Sequence, residues 1–283
     1  MIKVNNELIK PEYFPDGTMK LKYKRDHEGG RFGYFDIEWL YDNEEEMILL
    51  YYLVNQIRNN SSKPTINLFM PYIPNARFDR TKNKEEVFTL KFFSNFINDL
   101  YFNKVTVFDP HSHVSEALIN NIVIEHPIHT IVKATEKITN NLNDLLLFFP
   151  DEGSTKRYQE VIETFANFPY SFGIKNRDWT TGEIKGLSVN GKVDQIKSKD
   201  VLIIDDICSK GGTFYHSAKK LKEIGAKNIY LYVSHCENTI YDGELLKASN
   251  NDLIKRIYTT DSILTNLESP KIELVEEWRK YHE

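Results

Sequence analysis

The sequence predicts an α/β protein built as two domains, each a mainly parallel sheet flanked by helices. Three observations carry this. Short apolar runs alternate along the chain with amphipathic stretches of 10 to 15 residues, the pattern of right-handed strand–helix–strand units. The alternation occurs twice, on either side of a junction near residues 130–142. A length of 283 residues gives a prior of about two domains, and 16 Tyr and 17 Phe supply bulk for two cores. The expected division is 1–135 and 136–283.

In chain order, residues 42–60 (DNEEEMILLYYLVNQIRNN) predict a helix. Asp42 or Asn43 can cap it, Glu44 to Glu46 suit the positive end of its dipole, and Arg58 falls in its last turn. Residues 64–70 (PTINLFM) form a buried strand. Residues 86–101 carry Val87, Leu90, Phe93, Ile97 and Leu100 at helical spacing. KVTVFDPH, 104–111, is a strand running into a polar loop. In the second half, LLLFFPDEG (145–153) is a strand entering a loop, TKRYQEVIETFA (155–166) a helix, and YSFGI (170–174) a strand. VLIIDD (201–206) is a strand, FYHSAKKLKEIGA (214–226) a helix and NIYLYVSH (228–235) a further strand. Gly186 to Lys192 fit the spacing of a phosphate-binding G-x-x-x-x-G-K loop, but Val193 stands where the magnesium-binding Ser or Thr belongs. Asn190-Gly191 is instead expected to turn a β-hairpin.

Composition narrows the function classes. Thirty-six Lys+Arg against 41 Asp+Glu leave a net charge of -5, which argues against a general nucleic-acid binder. No apolar run approaches the roughly 18 residues of a membrane span, and the start lacks the apolar segment of a signal peptide. Two cysteines, Cys208 and Cys236, cannot form a disulfide scaffold, so a cytoplasmic location is expected. Cys208 has no evident base beside it and reads as packing, and His126 and His129 read as core or edge residues.

In parallel sheets, ligands bind beyond the carboxyl ends of strands, and the informative residues fall there. Asp205 and Asp206 close an apolar strand and are followed by Ser209, Lys210, Gly211, Gly212 and Thr213 ahead of a helix. The glycines let a backbone approach an anion, and the N–H groups entering the helix suit a phosphate. Two adjacent carboxylates can accept hydrogen bonds from vicinal hydroxyls, so the segment points to a sugar phosphate. Arg77, Asp79 and Arg80 follow another strand, where the arginines can grip phosphates by paired donors. His111 lies after a third strand, in FDPHSH. With His113 it makes two ligands at most, too few for zinc. Asp151 follows a fourth and could hold Mg²⁺ through water. Lys175 and Arg177 form a cationic pair that could close over a transferring phosphate.

Together these segments resemble ribose-phosphate diphosphokinase, also called phosphoribosyl pyrophosphate (PRPP) synthetase. VLIIDDICSKGGT is similar to the V-D-D-x-x-D-T-G-G-T motif shared with phosphoribosyltransferases, and PYIPNARFDR, 71–80, to I-P-Y-x-x-Y-A-R-Q-D-R. FDPHSH is similar to V-D-L-H-A, FPDEGSTKR to S-P-D-x-G-G-x-K-R, IKNR to the D-K-R-R of the catalytic flexible loop, and FPDGT to the nucleotide-binding F-x-D-G-E. Order and spacing agree over about residues 10–265.

The resemblance implies two phosphoribosyltransferase-like domains and transfer of the β,γ-diphosphate of MgATP to the 1-hydroxyl of ribose 5-phosphate. Arg77, Asp79 and Arg80 would then contact ATP, with Phe14 and Asp16 reaching in from a neighbouring subunit. That arrangement implies a homo-oligomer of at least two subunits; hexamers are common in the family. His111 and Asp151 would hold Mg²⁺ or its water shell. Asp205 and Asp206 would bind the ribose hydroxyls, residues 209–213 the 5-phosphate, and Lys175 and Arg177 would stabilise the transferring group. Departures cluster in the ligand loops: Ser209 and Lys210 replace Asp and Thr, Phe78 replaces Gln, Thr18 replaces Glu and Asn176 replaces Arg. Exchanging an acid for a neutral residue and gaining Lys210 makes the 5-phosphate loop more positive, which suits a larger anion. A phage branch resembling this family uses ADP-ribose as acceptor, forming ADP-ribose pyrophosphate for NAD salvage. The competing expectations are a phosphoribosyltransferase that consumes PRPP and a regulatory subunit that keeps the fold without the chemistry.

Overall fold

The computed structural model describes residues 1–23, 33–139, 144–177, 184–250 and 252–279; for 175–177 and 184–186 it describes the backbone alone. The chain forms two compact units, Met1–Glu125 and His126–Glu283. The first unit holds strands β1 (Ile2–Val4), β2 (Glu7–Leu8), β3 (Glu12–Tyr13), β4 (Met19–Lys20) and β5 (Tyr34–Trp39), then helix α1 (Glu45–Asn60). After these come β6 (Thr65–Phe69), α2 (Thr89–Asp99), β7 (Lys104–Phe108), α3 (Val114–Leu118) and β8 (Ile122–Glu125). Its main sheet has the order β2-β1-β5-β6-β7-β8, parallel from β5 onward and antiparallel at the short amino-terminal edge, while β3 and β4 form a separate hairpin.

The local reasons match the sequence. Leu49, Leu50, Leu53, Val54 and Ile57 give α1 one buried stripe; its N-cap is Glu44, with no side-chain cap bond, rather than Asp42 or Asn43, although Asn43 Oδ1 accepts the Glu45 N–H at 3.0 Å. α2 begins later than the apolar spacing suggests: Val87 is exposed, whereas Leu90, Phe93 and Ile97 are buried. β7 ends at Phe108, and Asp109, at φ 40°, turns the chain out of the sheet.

The second unit begins with α4 (Ile128–Ile138) and β9 (Leu145–Phe149), followed by the short helices α5 (Glu152–Arg157) and α6 (Gln159–Thr164). It continues with β10 (Tyr170–Arg177), β11 (Ile184–Gly191), β12 (Asp200–Cys208), α7 (Gly212–Ile224), β13 (Ile229–Cys236), β14 (Arg256–Thr260) and β15 (Ile272–Glu276). The sheet order is β11-β10-β9-β12-β13-β14-β15, parallel except for β10 with β11. β9 and β13 are buried at every residue, as strands covered on both faces must be. From β9 the chain moves to β10 on one side, and from β11 it returns to β12 on the other. The β9–β12 boundary is therefore a topological switch point, where diverging connections leave a crevice.

Four expectations need correction. The first unit stops at Glu125 rather than at 135, because α4 packs Ile131 and Ala134 into the core shared by β9 and β12. The helix expected over 155–166 is broken at Tyr158, whose φ of -97° and ψ of 28° interrupt it. Asn190-Gly191 is not the hairpin turn: Gly191 closes β11 opposite Ser171, and a 3₁₀ turn at Val193–Gln195 follows. β10 and β11 do pair antiparallel, but their connection lies at 178–183, outside the described residues. Of the core or edge placements expected for His126 and His129, the core one falls: both are exposed, beside Glu160 and Glu276 at 3.6 and 3.4 Å.

Candidate active site

In the second unit the loop after β9 and the end of β12 meet at the switch point. Asp151 is the N-cap of α5, its Oδ1 accepting the Ser154 N–H at 3.0 Å and the Ser154 hydroxyl at 3.2 Å. The same hydroxyl lies 3.2 Å from Asp205 Oδ1, so Ser154 stands between the two carboxylates. Arg157, on the next turn of α5, pairs through Nη1 with Asp206 Oδ1 and lies 3.7 Å from Asp205 Oδ1. The side chain of Asp206 is only 3% exposed and that of Asp205 16%. Burial, and next the Asp206 charge, push the Asp205 carboxyl well above its ordinary range, while Arg157 pulls it back. Two carboxylates so close need a cation, and Arg157 supplies it.

The glycine loop follows directly. β12 runs two residues beyond the acid pair, to Cys208. Gly211 takes φ 73°, a left-handed conformation, as the cap of α7, and a Cβ there would lie 2.4 Å from Leu245 Cδ1. Gly212, the first residue of α7, is exposed and has nothing within 4 Å of a built Cβ, so its side of the helix start is open. Lys210 is exposed and Thr213 half-buried. Behind the loop, Gly243 packs against the backbone of Lys210, with room for no side chain. Cys208 and Cys236 are register partners on β12 and β13, fully buried. The thiol of Cys236, then burial, raises the Cys208 thiol well above its usual value, which keeps it protonated and unreactive.

In the first unit the loops after β6 and β7 share the carboxyl edge, joined by a Phe108 N–H to Pro71 carbonyl bond of 3.1 Å. Ile73 and Ala76 anchor the first loop in the core, and Asn75 at φ 64° turns it, leaving Arg77 and Arg80 exposed. Asp79 stands 3.9 Å from Arg80 Nε, a loose contact that leaves the guanidinium 83% exposed. His111 is half-buried in the second loop. Phe14 and Asp16 lie in the exposed β3–β4 hairpin, where Asp16 Oδ1 accepts from the N–H and hydroxyl of Thr18, at 2.9 and 2.7 Å. Those bonds, the backbone one foremost, hold the Asp16 carboxyl below its ordinary value. Lys175 and Arg177 end β10, with a register shift between Asn176 and Arg177, but their side chains lie outside the described residues.

Ser154 and Arg157 were not singled out as site residues in the sequence. Their only signal was membership of the segment FPDEGSTKR, since nothing local shows that a helix after β9 faces the end of β12. Among the described residues no three His, Cys, Asp or Glu side chains stand together as a metal cage. Magnesium carried by a nucleotide needs one or two carboxylates rather than a cage. Asp151 fits that modest role only partly, because one of its oxygens already caps α5.

Two mainly parallel sheets flanked by helices, the second carrying an acid pair and a glycine loop at its switch point, define a two-unit α/β protein. No family model matches the chain. Among curated proteins, the ribose-phosphate pyrophosphokinase of Saccharolobus solfataricus is 29% identical over 242 residues, covering 83% of this chain and 77% of that one. The ribose-phosphate pyrophosphokinase of Pyrococcus abyssi is 29% identical over 279 residues, covering 96% and 88%. Among solved structures, phosphoribosylpyrophosphate synthetase from Mycobacterium smegmatis matches with a TM-score of 0.73 over 95% of this chain and 86% of that one, at 14% identity. The chain thus shares the fold of that synthetase, and the resemblance carried by its motifs is borne out by homologues named ribose-phosphate pyrophosphokinase. Among the described residues no helix is long and apolar enough to cross a membrane.

Proposed function

We propose that the protein transfers the β,γ-diphosphate of MgATP to the 1-hydroxyl of a 5-phosphorylated ribose, releasing AMP. The observation that carries this is the juxtaposition at one switch point of an acid pair, half-buried Asp205 and buried Asp206, and a glycine loop whose Gly212 is open at the start of α7. In this scheme the carboxylates accept hydrogen bonds from the two vicinal ribose hydroxyls, and the backbone of residues 209–213 holds the 5-phosphate. The 1-hydroxyl oxygen attacks the β-phosphorus as the bond from that phosphorus to the α,β-bridging oxygen breaks. AMP departs with that oxygen and the hydroxyl proton is released. The protein's tasks are in-line placement and charge neutralisation. Arg77, Asp79 and Arg80 would position ATP, Phe14 and Asp16 would reach it from a neighbouring copy, and Lys175 and Arg177 would neutralise the transferring group. His111 and Asp151 would meet the magnesium of the nucleotide.

ADP-ribose is a second candidate acceptor beside ribose 5-phosphate. Exposed Lys210 and the open side of Gly212 favour it, because a 5-diphosphate ester needs both more positive charge and more room. The test is acceptor-dependent AMP release from MgATP. AMP with ribose 5-phosphate supports a PRPP synthetase. AMP only with ADP-ribose supports the diphosphate-ester acceptor, with a place in NAD salvage. No AMP with either refutes diphosphate transfer and favours a regulatory protein.

A further inference from the structure

We infer that Arg157 is a positioning residue for the sugar: it holds the Asp205–Asp206 pair in the geometry that receives two neighbouring hydroxyls, and so sets affinity for the acceptor rather than for the nucleotide. This rests on the diphosphate-transfer reading above. Successive residues of a strand face opposite sides, so two adjacent aspartates do not by themselves converge on one ligand. Here one guanidinium gathers them. Nη1 of Arg157 forms an ion pair with Asp206 Oδ1 and stands 3.7 Å from Asp205 Oδ1, without hydrogen-bond geometry to either, while the Ser154 hydroxyl holds that same Asp205 oxygen at 3.2 Å.

These contacts all fall on the Oδ1 atoms. Arginine and Ser154 thereby fix the rotation of each carboxylate from the helix side. The orientation of α5 makes this possible. Asp151 caps the helix, Ser154 follows on its first turn and Arg157 on the next, so residues spaced by three share the face toward β12. The ring of Tyr158, itself buried, lies 6.0 Å from the guanidinium and limits where it can move. A lysine would keep the charge on a freely rotating ammonium but lose the planar guanidinium that fixes where Nη1 points.

The experiment compares wild type with R157K and R157M, measuring kcat and the separate KM values for the acceptor and for MgATP. Thermal melting confirms that each variant is folded. The expected result for R157M is a rise in acceptor KM of about tenfold or more, as befits a lost charge-assisted contact, with the MgATP KM within about twofold of wild type. R157K is expected to fall between the two, because charge is restored without the planar guanidinium. Equal acceptor KM in all three proteins, or a rise in both KM values together, would overturn the inference while leaving the reaction intact. Failure of the wild type to release AMP with either acceptor would instead remove the reaction, and the inference with it. If R157M melts below the assay temperature, R157K alone decides: an acceptor KM equal to wild type overturns the inference, and a selective rise supports it.

Discussion

Replacing Gly243 by alanine should damage the anion loop from behind. Gly243 follows the 3₁₀ turn Asn238–Asp242 and has φ -96°, so alanine meets no backbone objection there. The objection is steric. A Cβ would stand 1.9 Å from the Lys210 carbonyl oxygen, 2.7 Å from its carbonyl carbon and 3.1 Å from its Cα. A relaxed carbon–oxygen contact is about 3.3 Å, so the Lys210 backbone must retreat by roughly 1.4 Å or the turn must move by as much. A displacement of about 1 Å in a group that positions a substrate can lower the rate by roughly 10²-fold. Overpacking of this kind typically costs about 1–3 kcal/mol of stability, a fall of roughly 2–12 °C in melting temperature for a unit of this size. Steady-state AMP release across an acceptor series, with thermal melting alongside, reads both quantities. G243A should lose about 10²-fold in kcat/KM for the acceptor and keep its KM for MgATP. An acceptor kcat/KM within threefold of wild type would show that Gly243 does not brace a functional loop.

Three further outcomes are expected. G212A should fold at least as stably as wild type, since alanine at the start of α7 meets nothing within 4 Å, yet it should weaken acceptor binding by filling the opening; unchanged titration calorimetry with the acceptor would place the anion elsewhere. K175A should lower kcat by about 10²–10³-fold, the usual loss when one donor to a developing charge is removed; wild-type turnover would exclude Lys175 from the mechanism. Burial, with Asp206 next, raises the Asp205 carboxyl in the folded protein, so the native state holds that proton more tightly than the unfolded chain. The corresponding stability is present below the ordinary value of 3.8 and is lost as pH rises through the raised one. D205N should therefore gain in melting temperature relative to wild type as pH increases through that window, while losing acceptor affinity. A difference between the two melting curves that is flat with pH would contradict this origin of the shift.

Much of the chemistry was legible along the chain because it sits in contiguous segments. The run Val201–Thr213 shows an apolar strand, two acids, two glycines and a helix start, and each property follows from residues a few positions apart. The same holds for the arginine loop after β6, whose anchoring residues and charges alternate within ten positions. Boundaries were less secure where local patterns competed. Asn190-Gly191 has the composition of a turn, but pairing with Ser171 draws Gly191 into the end of β11. The helix expected from 155 to 166 is amphipathic throughout, yet Tyr158 breaks it to bury its ring against Phe149, with centroids 6.0 Å apart.

By itself, the sequence determined the α/β class, the alternation of strands and helices, and the acids, glycines and cations at strand ends, because hydrophobic period and turn chemistry act over a few residues. Only the tertiary structure decided that β9 lies beside β12 with connections leaving in opposite directions. That neighbourhood brings Ser154 and Arg157 onto the acid pair across about fifty residues of chain, and Gly243 behind Lys210 across more than thirty. Strand order is a choice among long-range pairings that bury similar apolar surface, so it leaves no periodic mark in the residues themselves.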